Sequence, residues 1–271
     1  QRLSKEKKAG DIITRELLVK DLKSIGISPG DSVLVHSSLS KIGYVEEGPK
    51  TVVDALLECV GEKGNILMPN SPNAGLQLDY IKSLKRFDVK NDASALGSIT
   101  EYFRKLPNAV RSIHPTEPVS CIGPDADYFT EGHFGSITPY AKSSPFYRIS
   151  EKGGKILYIG VTFDNAGTNL HTLEDEVENF KYPVYAEETF NVEMILPDGE
   201  RKMMETKVHN PEQSAKRKCD ELIPLFERNG ILKQVKIGKA DTLLVDAKKL
   251  LEGMVEEYHS NGVTMYTPQG E

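Results

Sequence analysis

Cysteine is scarce in this chain. Three residues in 271, Cys59, Cys121 and Cys219, stand far apart, odd in number and without a C-x-x-C spacing. They give no disulfide framework and are expected to be reduced, mostly buried thiols of a cytoplasmic protein. Long apolar runs are also missing. Nothing approaches the ~18 consecutive apolar residues of a membrane span, so a soluble chain is expected. The stretch from Gln1 to Lys8 is polar and basic, without the apolar centre of a signal peptide or anchor. Basic charge is not in excess: 34 Lys and Arg face 40 Asp and Glu, a net charge of −6. This excludes the basic face that supplies most nucleic-acid affinity, and it weakly favours an amine-bearing substrate. Neither G-x-G-x-x-G nor G-x-x-x-x-G-K-[ST] occurs, so no motif indicates a dinucleotide or ATP. No repeat, low-complexity tract or linker divides the chain, and one domain over residues 1–271 is expected, with 38% hydrophobic residues to build its core.

What is present alternates between strand and helix signals. Thr14 predicts a cap for a helix carrying Leu18, Leu22 and Ile25, closed by Gly26. Ser32–His36 reads as a strand. The loop after it, Ser37 to Ser40, offers hydroxyls and backbone N–H groups suited to a carbonyl oxygen or phosphate; the same residues also make an ordinary serine turn. A helix through Val53, Leu56, Leu57 and Val60 and a strand over Asn65–Pro69 complete a β-α-β unit. Asn70 to Asn91 is expected as a polar surface excursion, and Leu96 to Leu106 as a helix stopped by Pro107. His114, before Pro115, is expected to be extended, and a lone His is more often structural than catalytic. Val119–Ile122 reads as a strand. Gly132 to Pro145, with Tyr140, is too long to be only a turn. Thr189–Leu196 and Glu200–Lys207 flank Asp198-Gly199 as a hairpin. A charged helix is predicted over Pro211–Arg228, then a strand at Thr242–Val245, a cap at Asp246 and a helix with the apolar stripe Ala247, Leu250, Leu251, Met254, Val255 and Tyr258.

The centre of the pattern is Lys155–Val161, a buried strand, followed by F-D-N-A-G-T-N-L-H-T-L-E-D-E-V-E-N-F from Phe163 to Phe180, a loop that runs into a helix. His171 and Glu174, three apart, share a helix face, and a His held by a carboxylate can act as a general base. A solvated ion pair is the competing reading. A metal site is not expected, because the second histidine of the helical zinc motifs is missing.

In this order the motifs resemble those of the aminoglycoside 3-N-acetyltransferase family over nearly the whole chain. They are Val35-His-Ser-Ser-Leu-Ser40, Leu96-Gly97-Ser98, R-S-x-H-P at Arg111 to Pro115, Ser143-Ser-Pro145, Gly160 to Asp164, and Leu170-His-Thr-Leu-Glu174. The resemblance implies an α/β/α sandwich around a mixed sheet, with the hairpin and helices toward the C-terminus. It implies acetyl-CoA as cosubstrate, with His36, Ser37, Ser38, Leu39, Ser40 and Ser112 beside the coenzyme. His171 and Glu174 would activate the acceptor amine, a hydroxyl and N–H groups near Ser38 would steady the oxyanion, and Asp164, Tyr140 and His114 would face the acceptor. That acceptor is an amino sugar, either nucleotide-linked or an aminoglycoside; Lys142, Arg148 and Lys181 are the cations that a diphosphate would need. A non-catalytic coenzyme A or sugar binding protein on the same fold is the alternative. A homo-oligomer is left open.

Overall fold

Neighbouring residues along the central strands face opposite sides. Val33, Val35, Ile66, Met68, Leu157 and Ile159 belong to one buried apolar cluster, whereas Leu34, Leu67, Ile156 and Tyr158 belong to another. A strand with both faces apolar must be covered on both sides, and this one property dictates three layers. The computed structural model describes residues 11–271; the Gln1–Lys8 segment lies outside the described residues. Among the described residues twelve strands follow in chain order: β1 Ile12–Ile13, β2 Ser32–Ser37, β3 Tyr44–Val45, β4 Asn65–Pro69, β5 Arg86–Asp88, β6 Val110–Arg111, β7 Val119–Ile122, β8 Lys155–Ile159, β9 Phe190–Ile195, β10 Arg201–Thr206, β11 Leu232–Ile237 and β12 Ala240–Asp246. Seven of them form a mixed sheet in the order β11-β12-β8-β2-β4-β7-β6. The central pairs β8/β2 and β2/β4 are parallel, and the flanking pairs are antiparallel. This is the α/β/α sandwich that the motifs implied.

One face is covered by the helices Arg15–Ser24, Pro49–Val60 and Ser98–Arg104; the other by Pro145–Glu151, Ile223–Arg228 and Ala247–Asn261. Local signals set the ends of several of these. Thr14 accepts from the Leu17 amide, and Asp246 accepts from the Lys249 amide, each satisfying a helix-start donor. In the last helix Ala247, Leu250 and Met254 are buried and Leu251, Val255 and Tyr258 pack partly buried beside them, as the stripe predicted.

Several expectations are corrected. Asn70 to Asn91 is not merely a surface excursion: it contains a helix, Gln77–Ser83, and β5, which pairs in parallel with β9. The β9–β10 hairpin therefore forms, but in a separate three-stranded sheet, β10-β9-β5, over its own cluster of Ile81, Phe87, Val89, Val192, Met194, Met204 and Val208. A second hairpin, β11–β12, closes the edge of the main sheet; β11 exposes Lys233, Gln234 and Lys236, which hides its strand pattern. The continuous helix expected over Pro211–Arg228 is three pieces, Pro211–Ser214, Cys219–Leu222 and Ile223–Arg228, broken where Lys218 leaves helical geometry at φ −135° and ψ 57°. The helix expected to run on to Phe180 is also segmented, into Phe163–Ala166, Thr168–His171 and Thr172–Glu176. Among the described residues no helix is long and apolar enough to cross a membrane.

Candidate active site

The parallel register of β2 with β8 sets His36 opposite Tyr158 and Ser37 opposite Ile159, so both strands end at the same edge of the sheet. Carboxyl ends of parallel strands leave a crevice where their loops diverge. Here it is a cavity of about 700 Å³, lined by His36 and Ser37 at the end of β2, by Ser71 and residues 73–77 after β4, and by Val161, residues 163–168 and His171 after β8. Tyr140, Glu117, Arg217 and Cys219 complete its wall from distant segments.

His171 ends the short turn Thr168–His171, and its neighbours pin it from below. Leu170 and Leu173 are buried in the core, the Asn169 side chain donates to Phe146 O at 3.0 Å, and the Thr172 hydroxyl donates to Asn169 O at 2.7 Å. His171 Nδ1 lies 2.9 Å from Glu174 Oε2, and the Tyr266 hydroxyl donates to Oε1 at 2.8 Å. Burial opposes ionisation of Glu174, but the charge and hydrogen bond of His171 and the nearby His209 outweigh it and hold the carboxyl below its ordinary range. An ionised Glu174 accepts from Nδ1–H and leaves Nε2 as the basic nitrogen. Burial pushes the His171 imidazole down to about 3 against the pull of Glu174, so it is neutral at pH 7.

The structure adds residues that no local signal announced. His209 packs against His171 with ring centroids 4.2 Å apart, and its Nε2 sits 3.6 Å from Glu174 Oε2 without a hydrogen-bond partner. Tyr140 lies against both imidazoles, at 4.9 and 5.4 Å. Ligand atoms of His171, Glu174 and His209 fall within 4.8 Å of one another, close enough for a metal ion to be considered. The two carboxylate oxygens each take a hydrogen-bond contact, one with His171 and one from Tyr266. Glu117 receives Gln77 Nε2 at 2.7 Å, and burial pushes its carboxyl up to about 7. His209 follows β10 and Tyr266 lies in the C-terminal tail, so only the tertiary fold brings them to the pair.

The sequence-derived site residues divide. His171, Tyr140, Asp164, His36 and Ser37 line the cavity; Ser38, Leu39, Ser40, Ser112 and His114 do not. Ser38 N–H is committed to Ile159 O and its hydroxyl lies 3.3 Å from that of Ser40, so the free hydroxyl of this loop is Ser37 Oγ, which is buried and unpartnered. Leu39 packs on the core. Ser112 accepts from Val119 N and meets His133 Nδ1 at 2.8 Å, while His133 Nε2 reaches Pro139 O, so this chain braces the loop that carries Tyr140. His114 is fully buried, stacked on His133 and bonded to Thr116 and Thr206. The three expected cations serve elsewhere. Lys142 pairs with Glu176, Lys181 with Glu271, and Arg148 donates to Tyr128 O.

Comparison with known proteins gives this geometry a class. Residues 34–258 match the pattern that defines the aminoglycoside 3-N-acetyltransferases. Aminoglycoside N(3)-acetyltransferase VIII of Streptomyces fradiae is 33% identical over 189 residues, which cover 63% of this chain and 64% of that enzyme's own length. The structure of AAC-IIIb with CoASH superposes with a TM-score of 0.77 at 25% identity, covering 92% of this chain and 97% of that one. AAC-VIa bound to sisomicin gives 0.75 at 29% identity, over 90% and 96%. The fold falls in the class of acetyl-CoA-dependent N-acetyltransferases. The chain belongs to the aminoglycoside 3-N-acetyltransferase family.

Proposed function

We propose that the protein transfers the acetyl group of acetyl-CoA directly to an amine of an amino sugar, with His171 as general base. The observation that carries this reading is the buried His171–Glu174 pair facing a cavity at the carboxyl ends of parallel strands. Relatives bound to CoASH and to sisomicin support a coenzyme and an amino sugar as the occupants. His171 Nε2 takes the proton of the attacking amine. The nitrogen forms a bond to the thioester carbonyl carbon, and collapse of the tetrahedral intermediate breaks the C–S bond to release coenzyme A, whose thiolate takes the proton from the His171 imidazolium and leaves the base neutral again. Glu174 keeps Nδ1 protonated and stabilises the imidazolium. The unpartnered Ser37 hydroxyl is the group best placed to donate to the oxyanion. Base assistance of this kind contributes about 10² to 10⁴ in rate, and one oxyanion donor about 10² to 10³.

A thiol-release assay with acetyl-CoA tests the reading against a panel of aminoglycosides and nucleotide-linked amino sugars. Release with at least one acceptor, abolished in His171→Ala, is expected. Coenzyme binding without thiol release on any amine would point instead to a binding protein.

A further inference from the structure

Arg217 is the only Lys or Arg among the described residues that line the cavity. It lies in the irregular stretch between Pro211–Ser214 and Cys219–Leu222. No carboxylate of the described residues comes within the 4.0 Å of an ion pair with it. The other charged groups of the wall are already engaged: Glu117 receives Gln77, and Asp164 Oδ1 receives the Asp220 amide. Two of the three guanidinium nitrogens, Nε and Nη2, are buried without an acceptor. The Tyr266 hydroxyl gives its own proton to Glu174 Oε1 at 2.8 Å, and although burial opposes the guanidinium charge, Tyr266 and Glu174 favour it and raise Arg217. A guanidinium with unmatched buried donors costs free energy, and its planar fork fits a carboxylate or phosphate.

From this we propose that Arg217 forms an anion subsite for the acceptor, so that the molecule acetylated carries a phosphate or carboxylate near its reacting amine. The inference rests on the proposed acetyl transfer for its meaning, and it names the class of acceptor. Coenzyme A also carries phosphates, but the uncharged pantetheine arm holds them far from the thioester. Arg217 lines the same cavity as His171, the base of the proposed transfer. An anion there belongs beside the amine. A polycationic acceptor would meet this guanidinium as a repulsive charge, whereas Lys142, Lys181 and Arg148 are bound up elsewhere on the molecule.

Inorganic pyrophosphate is the probe, followed by ³¹P NMR titration into the full chain with and without saturating coenzyme A. Binding that persists with coenzyme A present is expected. It should weaken by about tenfold or more in Arg217→Gln and by less in Arg217→Lys, while the affinity for coenzyme A itself stays unchanged. His171→Ala should bind pyrophosphate as the wild type does. Equal binding by Arg217→Gln would overturn the subsite, and so would displacement of pyrophosphate by coenzyme A, which assigns the anion to the coenzyme. If pyrophosphate binds through Arg217 but no amine is ever acetylated, the proposed activity fails and the subsite stands. Acetylation of an acceptor with identical kcat/KM in wild type and Arg217→Gln does the opposite: the activity stands and the subsite fails.

Discussion

In the proposed mechanism the chemistry at His171 turns on which nitrogen holds the proton, and Glu174, 2.9 Å from Nδ1, decides it by accepting from that nitrogen. On the proposed mechanism His171→Ala lowers kcat by about 10² or more and leaves the dissociation constant of coenzyme A unchanged. Glu174→Gln should fall between that variant and the wild type, because an amide still orients the ring but cannot stabilise its positive charge. A larger loss in Glu174→Gln would transfer the leading role to the carboxylate. With His171 held down to about 3, its protonation should add no acid limb to kcat/KM between pH 5 and 7. A limb in that range, carried by no acceptor group and removed in His171→Ala, would contradict the assigned ionisation. Cysteine offers the rival chemistry. Cys219 lines the cavity, yet burial pushes its thiol up to about 12, and burial likewise raises Cys121, so both are protonated near neutrality. Cys219→Ala and Cys121→Ala should each keep acetyl transfer, whatever they cost in stability. An acetylated cysteine found by mass spectrometry after incubation with acetyl-CoA alone would replace direct transfer with a ping-pong scheme.

Among the elements, the end of β8 bears most directly on the site, because the chain must leave the sheet there and return as the His171 turn. Gly160 makes that departure with φ +69°, and a Cβ at this position would lie 2.4 Å from Lys41 Cβ. Left-handed geometry costs an L-residue about 1–2 kcal/mol before any clash is counted. Gly160→Ala should therefore lower the thermal midpoint measurably and raise KM for acetyl-CoA, by displacing Val161 and the strand-end loop of Ser37. Wild-type stability and KM together would show that this segment relaxes freely. Element boundaries are legible in the sequence wherever one local signal suffices, as at Thr14, Asp246 and the 198–199 turn. They are hidden wherever tertiary contacts intervene: β5 has only three residues and becomes a strand by pairing with β9, far along the chain.

For the whole molecule, five of the six histidines, His36, His114, His133, His171 and His209, are buried, and burial lowers all five. Those at 36, 133 and 171 are pushed down to about 3. An unfolded chain would protonate them near 6.5, so between about pH 6.5 and 3 it binds more protons than the folded one. Stability then rises with pH across this window and falls on acidification. Glu117 and Asp175, raised to about 7 and about 6 by burial, oppose this between their unfolded values and those figures, but two carboxyls face five imidazoles. The thermal midpoint should drop as the pH is lowered from 7 to 5. A flat or rising midpoint would mean that the imidazoles are not buried as neutral groups. The amino-acid sequence by itself determined the alternation that makes a two-faced sheet, the caps and turns, and the spacing that sets His171 beside Glu174, since all of these act within a few residues. Only the tertiary structure decided that Tyr266 and His209 join that pair, that Ser112 and His114 serve packing, and that Arg217 is the cation left in the cavity. Such contacts depend on where distant segments meet, and local spacing carries no record of that.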